Sequence, residues 1–204
     1  MAAHLAAVTE AVFSQLPPSV RFSSEDEAFL AGHAPELARL EDHLVQGFYD
    51  ILFAHAATAR VLSSGERAER EMALRRWWRR TLQGPFDTHY WEWQAAVGLI
   101  HVRVGVSNPM MIGMWGWTLN ALQEALAGKL SLPPQEAGRL MEVFHRLAAT
   151  VQALTAESYL QNYLAVLANS TGITAELIHR LVAVELAALD PSAHGQKAPT
   201  ASGV

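Results

Sequence analysis

Apolar residues recur every three or four positions along most of the chain, and no stretch shows the strict alternation of a β-strand. The clearest apolar stripe consists of Leu37, Leu40, Leu44, Phe48 and Leu52. This spacing predicts one continuous core helix over residues 36–54. Prolines and glycines fall in clusters between the periodic segments, where they end helices. The pattern therefore predicts an all-α protein.

Residues with strong helix-start or helix-stop preferences divide the chain further. Ser23 begins a start signal for a short helix, and Asp87 is expected to cap a helix that Gly105 closes. Asn108 is a candidate N-cap, with Pro109 at the first helical position. Together with a weaker stretch at about 57–63, helices are predicted over about 4–15, 24–32, 36–54, 66–83, 88–105, 109–127, 134–169 and 174–189.

The length of 204 residues suits one substantial hydrophobic core better than two. We expect a single domain over 1–189 that includes the first helix as an N-terminal extension. Residues 190–204 are rich in Pro, Ser, Gly and Ala and carry no periodic apolar positions, which predicts a disordered tail.

Composition excludes several classes of site. The chain has no cysteine, which rules out disulfides, thiolate zinc sites, iron–sulfur clusters and covalent haem attachment through Cys-x-x-Cys-His. A net charge of −5 implies no field that would attract nucleic acid or an anionic membrane. The first residues lack the basic region of a signal peptide, and no apolar run reaches the ~18 residues of a membrane span. We therefore expect a cytoplasmic protein with neither nucleic acid nor membrane as partner.

One of the nine histidines stands apart from the others. His101 shares an otherwise apolar helix face with Trp93, Val97 and Val104, whereas the other eight lie beside polar or charged neighbours and fit surface or helix-cap roles. A histidine in such surroundings is either bonded to a backbone carbonyl or ligated to a metal. The aromatic and methionine residues between 77 and 114 would suit a haem pocket, although an ordinary core explains them equally well.

Three segments, in order, resemble the globin-coupled sensors and protoglobins. The proximal signature of that family, a His followed by x-x-x-Gly-[Ile/Leu/Val] and then a helix-opening Pro, is similar to VGLIHVRVGVSNPMMIGM (97–114). Its distal Phe-Tyr segment is similar to GFYDILF (47–53), and its distal helix and turn to LRRWWRRTLQGPFDTHY (74–90). The resemblance implies a globin fold, a three-over-three helical sandwich, with an extra N-terminal helix and an additional C-terminal helix.

The resemblance also implies roles for individual residues. His101 matches the proximal ligand of the iron in a non-covalent haem (heme b). Tyr49 matches the distal tyrosine, whose hydroxyl can donate a hydrogen bond to bound O2; a phenol bonded to a backbone group is the alternative. The further candidates for the haem pocket are Phe48, Phe53, Ala73, Leu74, Trp77, Val97, Val104, Val106, Met111 and Met114.

Arginines are candidate partners of the haem propionates. Arg103 recurs in the family pattern and is either a propionate contact or part of a surface ion pair. The run of four arginines within 75–80 is either a solvated helix face or another propionate anchor. Met110 and Met111 stand where sensor relatives often carry Trp and Tyr, so signalling that depends on those rings does not transfer to this chain.

The function implied is that of a single-domain sensor globin or protoglobin, because only about twenty residues follow the globin and its extra helix. We expect reversible binding of O2, CO and NO, for gas sensing or binding. One alternative is a haem enzyme that detoxifies nitric oxide or acts on nitrogen oxides or peroxide, although no flavin or nicotinamide fingerprint is present. A haem-free all-α interaction protein is another.

A homodimer through the helices at 109–127 and 134–169 is also expected, since sensor relatives dimerise through that pair. Small residues there would permit close helix approach, namely Ala121, Ala125, Ala148 and Ala149. Packing within one chain explains them almost as well.

Overall fold

The computed structural model describes residues 2–62, 64–130 and 132–187, most of which are helical and none of which is in a strand, which confirms the all-α prediction. A single 3-10 turn lies at Ser64–Glu66. The α-helices are α1 Ala2–Gln15, α2 Ser24–Gly32, α3 Ala34–Ala38, α4 Glu41–Ala54, α5 Ala56–Val61, α6 Arg67–Gln83, α7 Thr88–Val104, α8 Asn108–Gly128, α9 Pro134–Thr171 and α10 Ala175–Ala187.

The start of α2 forms as predicted, and it is tied to a distant helix. Ser23 and Asp26 make a reciprocal capping box, in which each side chain bonds the other's backbone N–H. Asp26 also receives two hydrogen bonds from the Arg146 guanidinium of α9, at 2.6 and 2.9 Å. Burial alone would raise the pKa of Asp26, but the bonds from Arg146 and Ser23 hold that pKa below its usual value.

The prediction of one continuous helix over 36–54 was wrong. A turn at residues 39–40 separates α3 from α4. Arg39 and Leu40 donate backbone hydrogen bonds three residues back, to Glu36 and Leu37, instead of four. The apolar residues still face the core despite this 3-10 turn, since Leu37, Leu40 and Leu44 are all buried. A spacing of three between Leu37 and Leu40 suits a 3-10 turn as well as an α-helix, so periodicity could not reveal the break.

The turns on either side of α7 follow the predicted signals. The Asp87 carboxylate accepts a hydrogen bond from the Tyr90 backbone N–H at the start of the helix, at 2.8 Å. Gly105 ends the helix with φ of 82°, a left-handed conformation that favours glycine. The N-cap of α8 is Ser107, not Asn108 as predicted, because the helix already includes Asn108 in its first turn; Pro109 is in that turn too.

The chain divides into two compact units, residues 1–160 and 161–204. The first contains the main hydrophobic core, in which Leu122, Leu140 and Leu147 are fully buried. In the second, α10 has no buried residue. The expected single domain over 1–189 stays a prediction, and the predicted disordered tail lies outside the described residues. No helix in the described part of the chain is long and apolar enough to span a bilayer.

Candidate functional site

The first unit contains a cavity of about 520 Å³, a size typical of small-molecule sites. Its walls come from α4 to α9, and most of the lining side chains are aliphatic, aromatic or methionine. A cavity of this composition favours a ligand with a large apolar body.

His101 lines this cavity from the last turn of α7. Burial lowers the pKa of His101 to about 4, so the imidazole is neutral at pH 7, which is the form that binds metals. Its Nδ1 atom is buried and has no hydrogen-bond partner among the described residues. The backbone bond that the sequence left as an alternative for this ring nitrogen is not formed. A half-buried imidazole with an unpartnered ring nitrogen favours a bound group as its partner.

The segment after His101 is held by a residue that the sequence did not single out. The Tyr159 hydroxyl of α9 donates a hydrogen bond to the Val106 carbonyl at 2.9 Å, and the Tyr159 ring stands edge-on to the imidazole with centroids 6.2 Å apart. At Gly98, an added Cβ would come within 2.8 Å of Ser158 and of the Thr155 carbonyl. Glycine therefore lets α7 approach α9 closely, one turn before the histidine.

Tyr49 lines the same cavity from α4 and is only 8% exposed. It belongs to a small apolar cluster with Val45, Leu52 and Leu62. No hydrogen bond joins its hydroxyl to any described residue, so the alternative of a phenol bonded to the backbone is not observed. Burial raises the pKa of Tyr49 to about 12, which keeps the hydroxyl protonated and able to donate at physiological pH.

Eleven of the thirteen predicted pocket residues line this one cavity, although they come from distant parts of the sequence. They are Phe48, Tyr49, Ala73, Leu74, Trp77, Val97, His101, Val104, Val106, Met111 and Met114. Phe53 does not line it, because its ring packs beside Tyr49 and beneath the Arg67 guanidinium. Arg103 is exposed on α7, away from the lining.

The charged side chains of the lining are both arginines, Arg70 and Arg76. Arg70 is paired with Glu66 at 2.6 Å, whereas Arg76 is exposed and forms no ion pair within the described residues. Its neighbours Arg75 and Arg79 are both bound to Glu41 of α4. Arg76 is thus the member of the arginine run that is free to receive an anionic group of a ligand.

A buried amide also lines the cavity, and sequence reasoning missed it. Gln94 of α7 accepts a hydrogen bond through Oε1 from the Trp77 indole of α6, at 3.2 Å. Its Nε2 has no partner among the described residues. Nothing in the local pattern distinguished this glutamine from a surface residue, because its burial depends on the contact between two helices.

The donor set suits haem rather than a metal ion held by the protein alone. The described residues contain no group of three or more His, Asp or Glu side chains that could hold a metal. A haem iron takes four nitrogens from its own ring and requires one from the protein. The unpaired His101 imidazole, the apolar walls and the free Arg76 fit a flat macrocycle with carboxylate substituents.

Comparisons with known proteins agree with this geometry. A family model for protoglobin matches residues 9–165. Among solved structures, the chain is similar to the globin domain of the Geobacter sulfurreducens globin-coupled sensor, with a TM-score of 0.57 and 23% sequence identity over 69% of this chain and 92% of that chain. No curated protein matches. The expected globin fold is confirmed, and the chain belongs to the protoglobin family.

Proposed function

We propose that this protein binds haem b in the cavity through His101 and uses it to bind the diatomic gases O2, CO and NO reversibly, for gas sensing or binding. The observation that carries the proposal is a half-buried, neutral imidazole that has no hydrogen-bond partner among the described residues and lines a large, mostly apolar cavity. The haem iron, when bound, supplies the coordination position at which a diatomic molecule is held.

Different residues of the cavity would contact the iron, the apolar ring and the propionates of the haem. His101 would supply the nitrogen that binds the iron, and the Tyr159 bond to Val106 holds the turn that follows it. Val97, Val104 and Met111, which line the cavity, would offer apolar surface to the haem ring. Arg76 would bind a propionate, since it lines the cavity, is exposed to water and has no carboxylate partner among the described residues.

Tyr49 provides the selectivity among gases. Its neutral hydroxyl can donate a hydrogen bond to a ligand in the cavity because no described residue accepts from it. Such a bond favours a polar ligand such as O2 more than the less polar CO. The surrounding side chains are apolar, so water competes weakly for the same donor.

Absorption spectra of the purified, reduced protein test the proposal. We expect a Soret band that shifts on addition of O2, CO or NO and returns when the gas is removed. A protein that acquires no Soret band when haem is added would contradict the proposal and would favour an interaction protein without haem. A Soret band that is insensitive to all three gases would contradict the gas-binding part alone.

We also propose that the protein forms a homodimer through α8 and α9. Three of the four alanines expected at the interface, Ala121, Ala125 and Ala148, are buried within the first unit, so packing inside one chain accounts for them. Support comes instead from exposed apolar residues along the second half of α9, namely Leu160, Tyr163, Val166 and Leu167. Sedimentation equilibrium at micromolar concentration tests this, and a Tyr163→Glu variant should shift the protein towards monomer.

A further inference from the structure

The amide of Gln94 lies in the cavity wall some distance from the imidazole. Gln94 precedes His101 by seven residues, which is nearly two turns of α7, so the two side chains leave the same face of the helix. The separation along the helix axis is about 10.5 Å at 1.5 Å per residue. Gln94 is only 1% exposed to solvent. It is therefore a polar group inside the cavity that does not belong to the proposed iron ligands.

Hydrogen bonding determines which way this amide faces. An indole N–H can only donate, so the atom that meets Trp77 Nε1 at 3.2 Å must be the carbonyl oxygen of Gln94. The opposite orientation would place two donors against each other. Nε2 and its two N–H groups then face away from Trp77, and no described residue accepts from them.

The Trp78 indole is a second N–H donor that lines the cavity without an acceptor among the described residues. Trp78 Nε1 is buried without a partner, and Trp78 lines the cavity beside Trp77, with ring centroids 6.3 Å apart. Buried N–H groups without an acceptor are rare in folded proteins because they lose their bonds to water. Both residues line the same cavity, and neither N–H group has an acceptor among the described residues, which indicates an acceptor bound within the cavity.

We propose that this wall is a second binding position in the cavity, where Gln94 Nε2 and Trp78 Nε1 donate to a long-lived internal water molecule. Such a molecule requires a polar lining and only a small fraction of the space in a cavity of 520 Å³. A neutral occupant suits the apolar surroundings better than an anion, whose burial is far more costly.

The bound water and the Trp77 ring are linked through one side chain. Gln94 receives from Trp77 through its oxygen and donates to the water through its nitrogen. The same amide therefore holds the Trp77 ring of α6 and supplies a fixed polar point where α6 and α7 line the cavity. This position goes beyond gas binding at His101 and does not depend on it.

Nuclear magnetic resonance on the isotope-labelled, full-length protein as isolated tests the proposal. If it carries haem, it is reduced and saturated with CO so that it is diamagnetic. We expect a nuclear Overhauser contact between water and the Gln94 side-chain amide, with the sign that marks a long-lived bound molecule. Absence of this contact, or a contact that arises only through hydrogen exchange, would overturn the proposal. The measurement on the wild type does not depend on haem, so failure of the haem proposal is separately visible.

Two variants separate the donor from the acceptor role. Gln94→Met has a similar shape but can neither donate nor accept, so the water contact of the Trp78 indole should be lost and the Trp77 indole proton should shift upfield. Gln94→Glu keeps an acceptor and should restore the Trp77 shift. Gln123→Met, on the exposed face of α8, is the matched control and should change neither signal. Persistence of the Trp78 contact in Gln94→Met would contradict the role assigned to Gln94.

Discussion

Two aromatic regions of the first unit have similar compositions but different organisation. One, the packed cluster, consists of Phe13, Phe22, Phe86, Tyr90 and Trp91, whose neighbouring rings lie 4.3–5.8 Å apart. The other, the cavity wall, contains Phe48, Tyr49, Trp77, Trp115 and Trp117. Aromatic content alone therefore does not distinguish a solid core from a binding site.

What distinguishes the two regions is whether all of their polar atoms have partners among the described residues. In the packed cluster, the Trp91 indole donates to the Phe86 carbonyl at 3.1 Å, and the Tyr90 and Thr81 hydroxyls are bonded at 2.9 Å. Tyr49 and His101 both line the cavity, and neither the Tyr49 hydroxyl nor the His101 Nδ1 has a hydrogen-bond partner among the described residues. The first region is complete without a ligand, whereas the second needs one.

The largest difference is expected in stability when a ring is removed from each region. Trp91→Ala should lower the free energy of unfolding by about 3–5 kcal/mol, because it leaves a cavity in a closed core. Trp115→Ala should lower it by only about 1–2 kcal/mol, since that half-buried ring already borders open space. Urea unfolding followed by circular dichroism measures both, and equal losses would contradict the distinction between the regions. If Trp91→Ala does not fold, Trp91→Phe takes its place.

The next effect concerns the unpaired imidazole. His101→Gly should weaken haem binding by about 100-fold or more, beyond the roughly 10–100-fold cost of losing a supporting residue around a metal ligand. Added imidazole should restore the original absorption spectrum by entering the space left in the cavity. His145→Gly is the control, because that exposed histidine already bonds the Met141 carbonyl. An unchanged ferrous spectrum in His101→Gly would mean that another residue binds the iron.

The two regions each contain a buried tyrosine, Tyr49 in the cavity and Tyr90 in the packed cluster. Tyr49→Phe should leave the free energy of unfolding nearly unchanged. It should speed O2 dissociation by about tenfold, because one hydrogen bond to the bound O2 is lost. The dissociation rate of CO should change much less. Tyr90→Phe should cost about 1–3 kcal/mol of stability, since it strands the buried Thr81 hydroxyl, and should leave both rates unchanged. Because burial raises the pKa of Tyr49 to about 12, the tenfold ratio should persist from pH 6 to 9. Stopped-flow kinetics measure these rates.

The smallest effect is expected at the exposed arginine of the cavity. Arg76→Gln should speed haem loss by about threefold, since exposed ion pairs contribute at most about 1 kcal/mol. Haem dimethyl ester, which lacks the carboxylates, should dissociate equally fast from the wild type and the variant. Arg103→Gln should behave as the wild type. If Arg103→Gln also lost haem about threefold faster, the propionate contact would be assigned to Arg103 of α7 instead of Arg76.

Local features of the fold were predictable from the sequence, whereas cross-helix features were not. The cap at Asp87 and the ending at Gly105 depend on neighbours within four residues, so residue type alone identified them. The roles of Gln94 and Tyr159 depend on bonds to residues 17 and 53 positions away. Arg76 could not be separated from Arg75 and Arg79 until the contacts of those two with Glu41 were known.

By itself, the sequence determined the helical class, most helix boundaries and, through its resemblance to a known family, the choice of His101 and Tyr49. The helical class follows from the periodicity of apolar residues, the helix boundaries from capping residues, and the choice of His101 and Tyr49 from an ordered set of motifs. All three are properties of the residue order alone. Only the tertiary structure decided which of the aromatic residues border a cavity and which polar atoms there have no partner among the described residues. The physical reason is that burial and hydrogen-bond partnering are relations between helices, and the sequence order of residues does not specify them.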